Sequence, residues 1–353
     1  MTPQTRISQT GNRTTKPGSR HRRLPRLLRR RSVLVALAAW LLVNVLLIAF
    51  AGGHLPFRAS SLARPPTLET ILRADAMFLE VFALMALVHW LTRRRAAPDV
   101  AARAPDVRTA GRETLAVLVY GALAMFGGFL LGRAFGWHAF SFHLDGMVIR
   151  TGQQVVPAEV LCWAAYNLLA YAVVPFLVFR SRYSMEQLNL RSANRRADVV
   201  LILVVLAVES AVQLLLAGNA SILGLTGRQA MIGGPLTFVL SVAGTALPAM
   251  VFIYCILVPR FLKLTGSVPA AVVLGGVTYA LLHFFDGWTN FASPTDALLS
   301  VMYLLLFYTG PGMLKTFITI RSGNAWVHVW AYHAIAPHTL LDTPMMVKVF
   351  GIH

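Results

Sequence analysis

Apolar runs of about 20 residues recur along the whole length of this 353-residue chain, and they limit what it can fold into. A helix of that length crosses the ~30 Å hydrocarbon core of a bilayer. Lipid offers the backbone no hydrogen-bond partners, so such segments must bond internally, as helices do. The chain is 56% hydrophobic and 13% charged, whereas soluble domains carry roughly 25% charged residues. The expected fold is an all-α, polytopic transmembrane helix bundle of about nine spans. They fall at roughly 33–51, 76–92, 114–132, 158–179, 198–217, 236–258, 267–286, 297–318 and 324–341.

The formal charge of +18 raises nucleic acid as a partner, but its placement argues for an anionic lipid surface instead. Most of the 32 Lys and Arg residues fall in alternate segments between spans. The positive-inside rule then puts the N-terminus in the cytoplasm, the C-terminus outside, and the protein in the inner (plasma) membrane as a multi-pass chain. The two cysteines, Cys162 and Cys255, sit near opposite ends of their spans and imply no disulfide framework.

Residues 1–32 form a basic tail ending in RHRRLPRLLRRR, expected to be disordered and to bind anionic lipid. A signal peptide is the alternative, although the apolar run after the tail is long for one. Residues 33–179 read as four peripheral helices, interrupted by an Ala/Pro/Arg-rich linker at 93–112 expected to be flexible and cytoplasmic. Ser184–Arg196 reads as a short interfacial element. The functional core is expected within 180–341, with 342–353 as a C-terminal tail.

Ionisable residues at bilayer depth are costly, and each suggests a partner or a site. In the first four spans these are Glu80 and His89, with the polar Asn167 beside them. Glu209 lies mid-span, with Gln213 one turn later on the same face. It serves either as polar glue between helices or as a partner for His283 or His333. The sixth and seventh spans form a hairpin whose turn carries Pro259, Arg260, Lys263 and Gly266. His283 and Ala249 each lie 17 residues from Gly266, so they share a depth.

The order LVPRFLKLTGS, YALLH, SGNAW and YHAIAP resembles the CPBP family of CAAX-protease and bacteriocin-processing (Abi) membrane proteins. The resemblance covers about 150 residues. It implies a glutamate that activates water for peptide hydrolysis, assisted by histidines. His283 matches the histidine of the second motif, with Tyr279 where the family has Phe. His333 matches that of the last motif, with Ala336 and Pro337 where Asn is expected. Ala249 and Met250 occupy the glutamate pair, and Tyr254 the arginine.

The missing carboxylates leave three readings. Glu209 substitutes as base, making an active intramembrane endopeptidase with His283 and His333 as catalytic residues. Alternatively those three hold Zn²⁺, since two histidines and a carboxylate suit that ion, though the chain has no H-E-x-x-H and no cofactor is otherwise expected. The leading reading is a noncatalytic relative that binds a membrane-embedded peptide or protein. Tyr279, Asp286 and Trp326 are the expected substrate-contacting residues, and Asp286 either orients His283 or simply ends a helix beside Gly287.

His328, His333 and His338 are spaced by five, which on an α-helix separates successive side chains by about 140° and forbids a common face. Pro337 is expected to end the helix and leave His338 solvated, with His328 bonded to a neighbouring helix and His89 in an aromatic belt beside Trp90. Gly310-Pro311-Gly312 marks either a cavity wall or a kink.

Overall fold

The computed structural model describes residues 31–51, 66–148 and 154–353, and every regular element among them is helical. The elements are α1 (Arg31–Phe50), α2 (Thr67–Thr92), α3 (Val107–Ala134), a short α4 (Leu144–Val148), α5 (Pro157–Arg180), α6 (Arg195–Ala217), α7 (Gly227–Thr265), α8 (Val268–Leu281), α9 (Pro294–Ser322) and α10 (325–349). The expected basic tail lies outside the described residues except for its last two.

Helix covers most of each of the nine expected segments, the seventh ending at Leu281. Six helices are long and apolar enough to cross a membrane: α1, α3, α5, α6, α7 and α9. Their outward faces carry Leu34, Phe50, Leu115, Leu123, Leu177, Leu203 and Leu215, each more than half exposed. Water would not tolerate so extensive an apolar surface, whereas acyl chains match it. The chain is therefore a multi-pass membrane protein.

The interior inverts the usual arrangement. Glu209, His283, Asp286, Lys315, His328 and His333 are almost fully buried, among the helices rather than on them. α8 crosses α9 closely because Gly275 and Gly276 face Thr316 and Met313, while Gly312 rests against Tyr279 and Gly276. Small residues at such a crossing let two backbones approach. The Gly310-Pro311-Gly312 run therefore does not break α9, which continues to Ser322; Gly312 meets α8, and Gly310 faces Phe78 and Val81 of α2.

Proline explains a second feature. The widened turns Leu168–Val173, Val242–Ala246 and Met250–Leu257 each end two residues before a proline, at Pro175, Pro248 and Pro259. A proline ring collides with the carbonyl four residues back and offers no N–H. Lengthening the turn to i→i+5 bonding moves that carbonyl away and lets the helix continue. The same device carries α10 through Pro337, inside the widened segment Val329–Leu340.

At one end of the bundle the linker after α2 is ordered rather than flexible. Arg95 donates to Asp198 Oδ1 at 3.0 Å from both terminal nitrogens and reaches the Ser322 carbonyl. Arg103 donates to Asn189 Oδ1 and the Gly323 carbonyl, each at 2.6 Å, at the C-terminus of α9. Asn189, the only non-glycine residue with positive φ among those described, also donates to the Tyr254 carbonyl and accepts from the Ala325 amide. Arg260, from the turn between the sixth and seventh expected spans, is buried and paired with Glu113 of α3.

Candidate functional site

The site begins with a stretch of irregular backbone, 137–143, buried against α3, α5 and α7. Such backbone survives at depth only where protein groups satisfy its polar atoms. The Ser141 carbonyl accepts from Trp163 Nε1 at 2.9 Å and from Asn167 Nδ2 at 3.0 Å. The Phe142 carbonyl accepts from Thr245 Oγ1 at 3.1 Å. Glu159 Oε1 receives the His138 amide at 2.8 Å and contacts His138 Nδ1 at 2.7 Å. Gly132 makes the close approach possible, because any side chain there would strike the His138 carbonyl.

This segment delivers His143 to the end of α10. His143 Nε2 lies 2.8 Å from His338 Nδ1 and 3.4 Å from Asp342 Oδ2, and the last two are 3.1 Å apart. Three lone-pair atoms thus converge on one point. His338 Nδ1 carries at most one proton and cannot point it at both neighbours. Among the described residues this is the only group of three His, Cys, Asp or Glu side chains placed to hold a metal ion.

The histidines spaced by five line up after all. Ring centroids of His328 and His333 are 5.9 Å apart, and those of His333 and His338 are 5.1 Å apart. The 140° separation holds for an α-helix; in the widened Val329–Leu340 segment, i→i+5 bonding brings residues five apart onto one side. The row continues to His143, 4.3 Å from His338, and His143 in turn faces His283 at 6.4 Å. His338 is buried rather than solvated, because Pro337 does not end the helix.

His283 Nδ1 lies 2.8 Å from the Tyr279 carbonyl, which can only accept, so the proton sits on Nδ1. Its Nε2 is buried with no hydrogen-bond partner among the described residues. Asp286 does not bond the imidazole. It accepts from Ser141, from Tyr308 at 2.5 Å and from Trp288 at 3.1 Å. Tyr308 then stacks on His283 at 3.8 Å, so Asp286 positions His283 through that ring. Gly146 lies against Asp286, where a Cβ would come within 2.7 Å of its carboxylate oxygens. The Tyr279 hydroxyl is 3.4 Å from His333 Nε2, and Lys315 Nζ stands 3.6 Å above the Tyr279 ring.

Glu209 is placed differently from either sharp expectation. Its Oε1 accepts from Gln213 at 2.8 Å, and its carboxyl group shares a hydrogen bond with Glu80 of α2, the polar contact between helices that the sequence offered as one reading. It bonds neither His283 nor His333, and no metal-competent group among the described residues includes it. Trp326 is half-buried at the start of α10, and its amide is capped by Asn324. Ala249, Met250 and Tyr254 are all buried within α7, so no carboxylate stands where the family would place its pair. A surface cleft between α2 and α6, lined by Leu91, Arg95, Asn194 and Leu201, holds none of the histidines.

Sequence reasoning missed His143 and Asp342. The first lay in a segment assigned to a loop and the second in a tail; the only signal was their ionisable character beside apolar helix ends. The convergence also crosses the expected boundary at 180, since His143 and Ser141 come from the half read as peripheral. No family model, curated protein or solved structure matches the chain.

Proposed function

We infer that this is a CPBP-like membrane protein that binds a membrane-embedded peptide or protein and does not use glutamate-based peptide hydrolysis. The observation that carries this reading is that no carboxylate among the described residues bonds His283 or His333, combined with Ala249 and Met250 at the family's glutamate positions. General-base catalysis needs a base within hydrogen-bond reach of the water it activates. Glu209 is instead held by Gln213. In this reading the chain crosses the inner membrane nine times, with the N-terminus in the cytoplasm, as the Lys and Arg distribution supports.

The test compares the purified protein with its Glu209→Gln, His283→Ala and His333→Ala variants, incubated in vesicles with an apolar or lipid-modified model peptide. The reading expects no cleavage above background by any of them. Cleavage by the parent that Glu209→Gln abolishes would restore the endopeptidase reading. Thermal unfolding in detergent gives a second measure. Glu209→Gln keeps an acceptor for Gln213 and turns an N–H toward Glu80, so stability should hold or rise by up to about 1 kcal/mol.

A further inference from the structure

We propose that His143, His338 and Asp342 bind one divalent transition-metal ion of the Zn²⁺ class, with at least one coordination position left for water. The inference is independent of whether the chain cleaves peptides.

The argument starts from the spacing. The three donor atoms form a triangle with sides of 2.8, 3.1 and 3.4 Å. Its circumradius is about 1.8 Å, so an ion ~2.05 Å from each atom sits about 1 Å off their plane. Ligand atoms of a regular tetrahedral ion are about 3.3 Å apart and adjacent atoms of an octahedral one about 2.9 Å, given that same bond length. The observed sides span these values without any side chain having to move far. Hydrogen bonding explains the arrangement less well. Two imidazoles and a carboxylate offer three lone pairs at one point, and protons between neutral rings satisfy only some of them.

The donor chemistry selects the ion. Two imidazole nitrogens and one carboxylate oxygen suit Zn²⁺, Co²⁺ or Fe²⁺, whereas Ca²⁺ and Mg²⁺ prefer all-oxygen shells. Three protein ligands mark a site with an open position rather than a closed structural one. The His143 side chain is 17% exposed and that of Asp342 9%, which gives the ion a way in. Asp145, two residues from His143, interacts electrostatically with both His143 and Asp342 and adds negative charge around the ion. The elements that meet here are also held from behind: Gly287 donates to the Gly146 carbonyl at 2.9 Å, and Thr339 Oγ1 to the Ala334 carbonyl at 2.8 Å.

The experiment uses the full chain in detergent, without a histidine tag, stripped by chelator and titrated with Zn²⁺ and separately with Mg²⁺. The expected result is one Zn²⁺ per chain and no saturable Mg²⁺ binding. His338→Gln and Asp342→Asn, each checked for parental helical content and melting, should weaken Zn²⁺ binding by more than about 100-fold. Asp145→Asn should weaken it about 10-fold, as loss of an outer partner does. Sub-stoichiometric binding by the parent, or parental affinity in both ligand variants, would overturn the proposal. Should either variant fail to fold, X-ray absorption of the Zn²⁺-loaded parent decides. Two imidazoles and oxygen ligands at ~2.0–2.1 Å support the site, and a shell without imidazole refutes it.

Discussion

Replacing Glu113 with leucine should remove about 3 kcal/mol of stability. Arg260 donates from Nε at 2.8 Å and from a terminal nitrogen at 2.6 Å to Glu113 Oε2, with its third arm on the Ile256 carbonyl. Its side chain is 2% exposed, and it lies over the rings of Phe179 and Tyr183 at 4.7 and 4.9 Å. Removing one partner of a buried pair leaves an uncompensated charge and costs about 3–5 kcal/mol. Glu113 keeps 13% of its side chain exposed and the rings still hold the guanidinium, which puts the expected loss near the lower end. Adding Arg260→Met should recover most of it, because a paired apolar replacement of a buried ion pair is close to neutral. The assay is reversible denaturation in mixed micelles, run as a double-mutant cycle. A Glu113→Leu loss below about 1 kcal/mol, or strictly additive single variants, would refute the claim that this pair ties α3 to α7.

Two further outcomes follow from the packing and from the network around Asp286. Gly312→Ala places a methyl group 2.6 Å from Tyr279 Cβ and 2.8 Å from Gly276 Cα, so α8 and α9 must part and stability should fall by about 1–3 kcal/mol in the same assay. Asp286→Asn exchanges an acceptor for a donor facing Ser141, Tyr308 and Trp288. One buried donor then loses its partner, at about 1–3 kcal/mol, and the changed Trp288 environment should shift the tryptophan emission. An unchanged melting curve and spectrum would show that the network is not formed.

The helices were legible because lipid imposes one rule on every span: about 20 apolar residues whose backbone groups bond to each other. The polar interior was legible only in part. His283 stood out, since an imidazole within an apolar run demands an explanation, and Tyr279 and Asp286 do lie around it. Sequence spacing went astray where it assumed α-helical geometry. His328, His333 and His338 form a row only because α10 widens, and Pro337, read as a terminator, lies within that widened segment. His143 was invisible for a different reason. A segment between two spans is expected to be solvated, and nothing local shows that Trp163, Asn167 and Thr245 will satisfy its carbonyls. The arginines of the linker likewise read as solvated charges until Asp198 and the α9 carbonyls are seen to meet them.

The central claim is that the segment after α3 and the end of α10 meet inside the bundle. Its most direct test is a cross-link between His143→Cys and His338→Cys, made in native membranes with Cys162 and Cys255 replaced by serine and alanine. The ring centroids at these positions are 4.3 Å apart, so Cd²⁺ should protect both thiols from alkylation and a short thiol cross-linker should join them in one chain, read by peptide mapping. Either cysteine alone should give no joined peptide with the cross-linker. Independent alkylation of both thiols in the double variant, with no joined peptide, would contradict the account.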